Sequence, residues 1–191
     1  MIGFITLPLF HAHGLSCLFR ALNARKKIML HNASLPLAQE YLVGVLRGHS
    51  EIEIFYGVPY ALKILAETPG GIAALAKLKA MMSGGSACPD TLGDRLVRAG
   101  VNLVSHFGTT ETGQLMTSSR PAGDKDWSYI RTMPAVLPYL RWEPRGDGAY
   151  ELVVLYELKS KVASNRPDGV YATKDLFTPH PPKPFNSAIA F

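Results

Sequence analysis

The segment richest in chemical possibility is Phe107-Gly108-Thr109-Thr110-Glu111-Thr112-Gly113. Its hydroxyls and glycine amides can hold phosphate oxygens. Glu111 beside them can hold a magnesium ion, a hard cation that takes carboxylate and phosphate oxygens together. The segment follows an apolar run, Val101 to Val104, that reads as a strand. That places it at the carboxyl edge of a sheet, where open α/β folds bind ligands. Composition alone also fits an ordinary polar loop with a solvated glutamate.

Ser83-Gly84-Gly85-Ser86-Ala87 lies between a strand-like and a helix-like stretch and is a second candidate for holding an anion. No Gly-Lys-Ser/Thr follows, so it is not a Walker loop. Cys88 stands where the second glycine of Gly-x-Ser-x-Gly belongs, so it is not a nucleophile elbow. A plain glycine turn allowing close backbone approach is the alternative. His11-Ala12-His13 has the spacing of a metal pair if it lies on a strand, where residues two apart share a face. Zinc needs a third ligand, and no spacing marks His31, His49 or His106 for it. A polar pocket wall or a satisfied core histidine is the other reading. Asp175 follows Thr173-Lys174 at a strand end, where a carboxylate can accept both hydroxyls of a ribose. An Asx turn or an ion pair with Lys174 is the alternative.

These residues need elements to position them. Ile2 to Leu7, Lys27 to Leu30, Glu51 to Phe55, Leu78 to Met82 and Val101 to Val104 read as short buried strands. Between them lie helical patterns. Ser34 is placed to cap one that runs to Gly48, and others cover Tyr60 to Ala66 and Ile72 to Leu75. Pro89 opens a last one that ends at Gly100. Such alternation predicts an α/β fold with a mostly parallel sheet and flanking helices. Of the 14 prolines, five precede residue 120 and nine follow it, so the later part resists helix. There, Tyr139 to Pro144 and Tyr150 to Leu155 flank Gly146-Asp147-Gly148, which predicts a β-hairpin. Gly169 to Thr173 adds a strand, and Pro179 to Pro184 reads as extended. The expected division is an α/β part over 1–122 and a small antiparallel, barrel-like β subdomain over 123–191.

With 191 residues, 47% hydrophobic and 18% charged, the chain has material for a real core and excludes intrinsic disorder. A net charge of +5 is spread along the chain, with Arg25-Lys26-Lys27 the only run, which is too short for a nucleic-acid arm. Cys17 and Cys88 stand in no CxxC frame, which argues against a disulfide scaffold and fits a reducing, cytoplasmic compartment. Met1 to Phe10 is apolar but lacks a basic n-region, so it reads as a buried strand and not a signal. No apolar run reaches the length of a membrane span.

Taken in order, Pro8-Leu9-Phe10-His11-Ala12-His13-Gly14, Ser83-Gly84-Gly85-Ser86, Phe107-Gly108-Thr109-Thr110-Glu111 and Asp168-Gly169-Val170-Tyr171-Ala172-Thr173-Lys174-Asp175-Leu176 resemble the adenylate-forming superfamily. That group includes acyl-CoA synthetases, luciferases and adenylation domains of non-ribosomal peptide synthetases. Thr-Lys-Asp-Leu-Phe followed by Pro-His-Pro is similar to fungal synthetase-like carboxylate reductases, which carry adenylation, carrier and reductase domains. The resemblance implies that a small carboxylic acid attacks the α-phosphate of ATP, giving an acyl-adenylate and pyrophosphate. A CoA or carrier pantetheine thiol then takes the acyl group. It implies that Glu111 binds Mg²⁺ and that Thr110 touches the AMP phosphate, the two forming the catalytic pair. Gly84, Gly85, Ser86, Phe107, Gly108, Thr109 and Asp175 would complete the nucleotide site, with Asp175 on the ribose and Phe107 stacked on adenine where a tyrosine is usual. His11, Gly84 and Gly108 would border the acid. Lys174 replaces a common glycine. The family's phosphate loop belongs before His11, and its hinge and lysine domain belong after Asp175. Their absence from these 191 residues makes a non-catalytic nucleotide-binding remnant the alternative expectation.

Overall fold

Parallel strands cannot be joined by tight turns, so each pair needs a crossover, usually a helix. The computed structural model, which describes residues 2–121, 123–180 and the backbone of 189–190, follows that rule through its first compact unit, Met1–Ser105. The chain runs β1 (Ile2–Ile5), α1 (Ala12–Asn23), β2 (Lys27–Leu30), α2 (Gln39–Gly48), β3 (Ile52–Gly57), α3 (Pro59–Ala66), α4 (Pro69–Ala76), β4 (Ala80–Ser83), α5 (Asp90–Arg98) and β5 (Leu103–Thr109). The strands are all parallel in the order β2-β1-β3-β4-β5, with Met81 opposite Leu103 and Ser83 opposite Ser105. This is the parallel sheet with flanking helices that the alternation predicts.

The core of this unit is apolar and aromatic. Phe4 and Phe55 from adjacent strands are fully buried and meet edge to face at 5.6 Å. Leu62, Leu65 and Leu75 from α3 and α4 are fully buried as well. Pro59 and Pro69 open those helices at a position whose N–H needs no partner. Thr68 caps α4, its hydroxyl accepting the Gly71 N–H at 3.2 Å.

Two local expectations change. Helix α1 is missing from the sequence reading, although parallel pairing of β1 with β2 requires a crossover there. It buries Gly14 and Cys17 on one face, and a β-carbon on Gly14 would lie 2.4 Å from the Pro8 carbonyl oxygen. Ser34 does not cap α2. Its N–H instead donates to Asn32 Oδ1 at 3.0 Å in an Asx turn, and α2 begins after Ala38, beyond Pro36.

The second compact unit, His106–Phe191, is antiparallel. It comprises the end of β5, β6 (Gly113–Thr117), β7 (Tyr129–Thr132), a 3-10 turn at Leu137–Tyr139, β8 (Leu140–Gly146), β9 (Ala149–Val154), β10 (Tyr171–Pro179) and the short β11 (Ile189–Ala190). Its strand order is β5-β6-β7-β11-β10-β9-β8. The composition shift near Arg120 to Lys125 lies inside this unit. Asp147 and Gly148 both have positive φ, at 50° and 72°, and form the two-residue loop between Gly146 and Ala149. Positive φ at both loop positions matches the twist of a hairpin, so β8 and β9 pair as the sequence predicts. The β10 strand starts later and runs further than Gly169 to Thr173, and most of the Pro-rich tail lies outside the described residues.

Phe107, Leu115, Met116, Ile130, Leu152 and Phe177 form the apolar centre of this unit. Phe177 forms edge-to-face pairs with Phe107 at 5.0 Å and with Trp142 at 5.3 Å. Each such pair is worth about 0.5–1.5 kcal/mol beyond its buried area. Among the described residues no helix is long and apolar enough to cross a membrane.

Candidate functional site

The threonine-rich segment is a strand and its turn, not a loop after a strand. Phe107, Gly108 and Thr109 end β5, and Thr110-Glu111-Thr112 turns the chain into β6. The turn is closed by the Thr112 N–H donating to the Thr109 carbonyl at 3.3 Å, and Gly113 supplies the left-handed φ of 74° that starts β6. Thr112 is fully buried and anchors the turn from below. Its hydroxyl lies 3.0 Å from the Thr109 hydroxyl, and the Ser160 hydroxyl donates to its carbonyl at 2.8 Å. The Val162 N–H donates to the Glu111 carbonyl at 2.8 Å. With the backbone held on both sides, Thr110 is exposed and Glu111 half-buried.

Gly108 permits this geometry. A β-carbon there would lie 2.3 Å from the Gly113 carbonyl oxygen and 2.7 Å from Gln114 Cα. The two strands therefore approach more closely than any side chain allows.

Phe107, the expected adenine platform, packs against the apolar centre of the second unit. Its ring is 5% exposed and is covered by the core around Phe177, because β5 turns that position inward. The sequence shows an aromatic residue beside a glycine but not the face to which the strand directs it.

Asp175 sits in an irregular stretch of β10. Ala172 pairs with Val153 and Leu176 with Glu151, so Thr173, Lys174 and Asp175 together oppose Leu152 alone. Such a bulge turns a side chain away from the regular pleat. Lys174 carries it with a φ of 66°, a left-handed conformation that favours glycine. The Thr173 hydroxyl pins it, donating to the Leu152 carbonyl at 3.0 Å and accepting the Asp175 N–H at 3.3 Å.

Glu111 and Asp175 both act on the phenol of Tyr171. The Glu111 carboxyl is held below the usual range by a hydrogen bond from its own backbone, then by hydrogen bonds from Thr109 and Tyr171. Burial pushes the Tyr171 phenol up, and the charges of Glu111 and Asp175 push it further. Burial also pushes Asp175 up, with the Glu151 charge adding to it. Tyr171 was not singled out by sequence, although it precedes Asp175 by four residues on the same strand.

The remaining expected residues belong to the first unit. Gly84 is buried, with its N–H donating to the Gly57 carbonyl at 3.4 Å, and Gly85 and Ser86 are exposed. Helix α5 begins only at Asp90, so this loop does not sit on a helix N-terminus as expected. Gly85 has a φ of 90°, and a β-carbon there would lie 3.5 Å from Val58 Cγ1. The neighbouring Ser83 hydroxyl is buried and has no partner among the described residues. His11 is exposed at the N-cap of α1, its ring 4.8 Å from that of Phe10. His13 lies inside the helix, so the two histidines do not share a strand face. Burial and then Arg20 lower the His13 pKa. Cys17 and Cys88 are buried free thiols, each pushed up to about 11 by burial.

Residues 2–143 match the family of AMP-binding enzymes. The chain belongs to that family. Among the relatives of this AMP-binding chain is adenylate-forming reductase Nps11 of Serpula lacrymans, 31% identical over 95% of this chain and 18% of that protein. The non-canonical non-ribosomal peptide synthetase ascB of Acremonium egyptiacum is 34% identical over 66% of this chain and 12% of that protein. The chain thus spans less than a fifth of the length of these relatives. A malonyl-CoA ligase with methylmalonyl-CoA and AMP bound shares its fold, with a TM-score of 0.70 and 20% identity over 99% of this chain and 43% of the other. So does an o-succinylbenzoate CoA synthetase from Bacillus subtilis in complex with ATP and magnesium, with a TM-score of 0.69 and 21% identity over 99% of this chain and 40% of the other.

Proposed function

We propose that this AMP-binding chain provides the ribose and metal carboxylates of an adenylating enzyme. In the proposed reaction the carboxylate oxygen of a small acid attacks the α-phosphorus of ATP and pyrophosphate leaves, and a CoA or carrier pantetheine thiol then attacks the acyl carbon of the adenylate, taking the acyl group as a thioester and releasing AMP. The observation that carries the reading is Tyr171, which precedes Asp175 by four residues on β10 and whose phenol is pushed up by the charges of both Glu111 and Asp175. Two carboxylates distant in sequence thereby serve one neighbourhood.

The roles follow the chemistry of each group. Asp175 accepts the ribose hydroxyls from the β10 bulge. Thr110, exposed at the tip of the β5–β6 turn, donates to the nucleotide phosphate, beside Thr109 and the Gly108 backbone. Glu111 suits magnesium. It is an oxygen donor held in its ionised form, and no group of three or more His, Cys, Asp or Glu converges among the described residues. Magnesium is commonly held by one or two carboxylates plus substrate phosphates. When bound, the ion neutralises charge on the phosphates during displacement. The acceptor thiol, and carrier or reductase domains, are part of the proposal because relatives bear the names of reductases, a peptide synthetase and CoA ligases.

The test is calorimetric titration of the chain with AMP and with ATP, with and without magnesium. Asp175→Asn should weaken AMP by about tenfold or more, the scale of a lost charge-assisted hydrogen bond. Glu111→Gln should remove the magnesium dependence of ATP binding and leave AMP nearly unchanged. A folded Asp175→Asn chain with native AMP affinity would overturn the ribose assignment.

A further inference from the structure

A buried carboxylate in an otherwise apolar strand requires a reason. From Glu151 to Val154, β9 is buried throughout, and Glu151, at 7% exposed, is its only charged residue. Replacing a buried ion pair with apolar side chains is often neutral or stabilising, so stability alone does not account for it.

The two oxygens of Glu151 face different partners. Oε2 accepts from Arg145 Nε at 2.8 Å and also from Arg145 Nη2, with Arg166 Nη2 at 3.5 Å. Oε1 accepts the backbone N–H of Lys174 at 3.0 Å. Arg145 and Arg166 are themselves held by Glu143, at 2.7 Å and 2.8 Å. The charge network of Glu143 and Arg145 on β8 and Arg166 between β9 and β10 thus fixes one carboxylate on β9, and that carboxylate reaches across to a single amide on β10. That amide belongs to the residue with the left-handed φ, immediately before Asp175.

We infer that Glu151 is a positioning residue of the ribose site, holding the Lys174 amide so that the bulge presents Asp175. The inference rests on the reading of Asp175 as the ribose ligand. The left-handed turn at Lys174 lacks the freedom a glycine would bring, and the Glu151 hydrogen bond holds it in place of that freedom. Arg145 and Arg166 offset part of the Glu151 charge, which otherwise adds to the burial that pushes Asp175 up.

The test compares AMP with 2′,3′-dideoxy-AMP, which lacks the two hydroxyls, by calorimetric titration of the full chain. The native chain prefers AMP by about tenfold or more. Glu151→Gln keeps the size of the side chain but has one acceptor oxygen for two sets of donors. It removes most of the preference and leaves dideoxy-AMP affinity unchanged, a split that a general loss of stability does not produce. Asp175→Asn does the same, and the double variant is no worse than either single one. A folded Glu151→Gln chain that keeps the preference while Asp175→Asn loses it overturns the inference and leaves the ribose reading intact. A native chain without preference, or Asp175→Asn that keeps it, removes the ribose reading and the inference with it. If Glu151→Gln does not fold, hydrogen exchange in the native chain decides. A slowly exchanging Lys174 amide supports the contact, and one that exchanges as fast as an open loop overturns it.

Discussion

Replacing Gly108 with alanine is a sharp test of the hairpin that carries Glu111. The added β-carbon meets the Gly113 carbonyl oxygen at 2.3 Å and Gln114 Cα at 2.7 Å. Both neighbours are backbone, so no side chain can swing aside and β6 must move. Overpacking of this kind costs about 1–3 kcal/mol, and a backbone obstacle belongs at the upper end. Alanine returns about 0.4–1 kcal/mol by restricting the unfolded chain. The net expectation is a loss of about 2 kcal/mol. Both tryptophans, Trp127 and Trp142, lie in the second unit, so their fluorescence in urea reports the unit concerned. With a slope of about 2 kcal/mol per molar, the midpoint falls by about 1 M urea. Magnesium-dependent ATP binding should weaken in parallel, because Glu111 rides on the displaced turn. A midpoint shift under about 0.3 M would show that β5 and β6 do not approach this closely and would refute the reasoning.

Lys174→Gly should stabilise the second unit by about 0.5–1 kcal/mol. The left-handed conformation costs a non-glycine residue about 1–2 kcal/mol, and the greater freedom of unfolded glycine returns part of the gain. The side chain is exposed, so little packing is lost, and the same urea titration checks the sign. Glu143 gives a pH prediction. Hydrogen bonds from Arg166 first, then Arg141 and Arg145, hold its carboxyl down at about 2 instead of 4.5. A depressed folded pKa contributes stability that is complete above the unfolded value and is lost as pH falls. Unfolding midpoints measured from pH 5 down to about 2 should therefore drop less steeply for Glu143→Gln than for the native chain.

Much of this protein could be read from local chemistry. Strand and helix alternation implies a parallel sheet because parallel strands need crossovers, and the sheet over β1 to β5 is parallel. The late prolines exclude long helices, and Gly146-Asp147-Gly148 supplies the positive φ values a hairpin needs. The four ordered motifs sufficed for the AMP-binding family, which the match over residues 2–143 bears out. These features depend on residues close in sequence, where backbone freedom and side-chain type act directly.

Other features required contacts that no local pattern encodes. The exposed face of helix α1 carries Leu15, Phe19 and Leu22, which blurs the polar side of its pattern and hides the helix in the sequence. Ser34 has the right chemistry for a cap, but Pro36 and the bond to Asn32 bind it elsewhere. The face of β5 that takes Phe107 inward is set by Phe177, seventy residues later, and the site of Tyr171 by its reach to Glu111. The bulge at Lys174 depends on Glu151 across the strand pair. The sequence by itself determined which groups could bind a nucleotide and a metal. Only the tertiary structure decided which way those groups point, because direction in a sheet depends on register, and register is set by partners far along the chain.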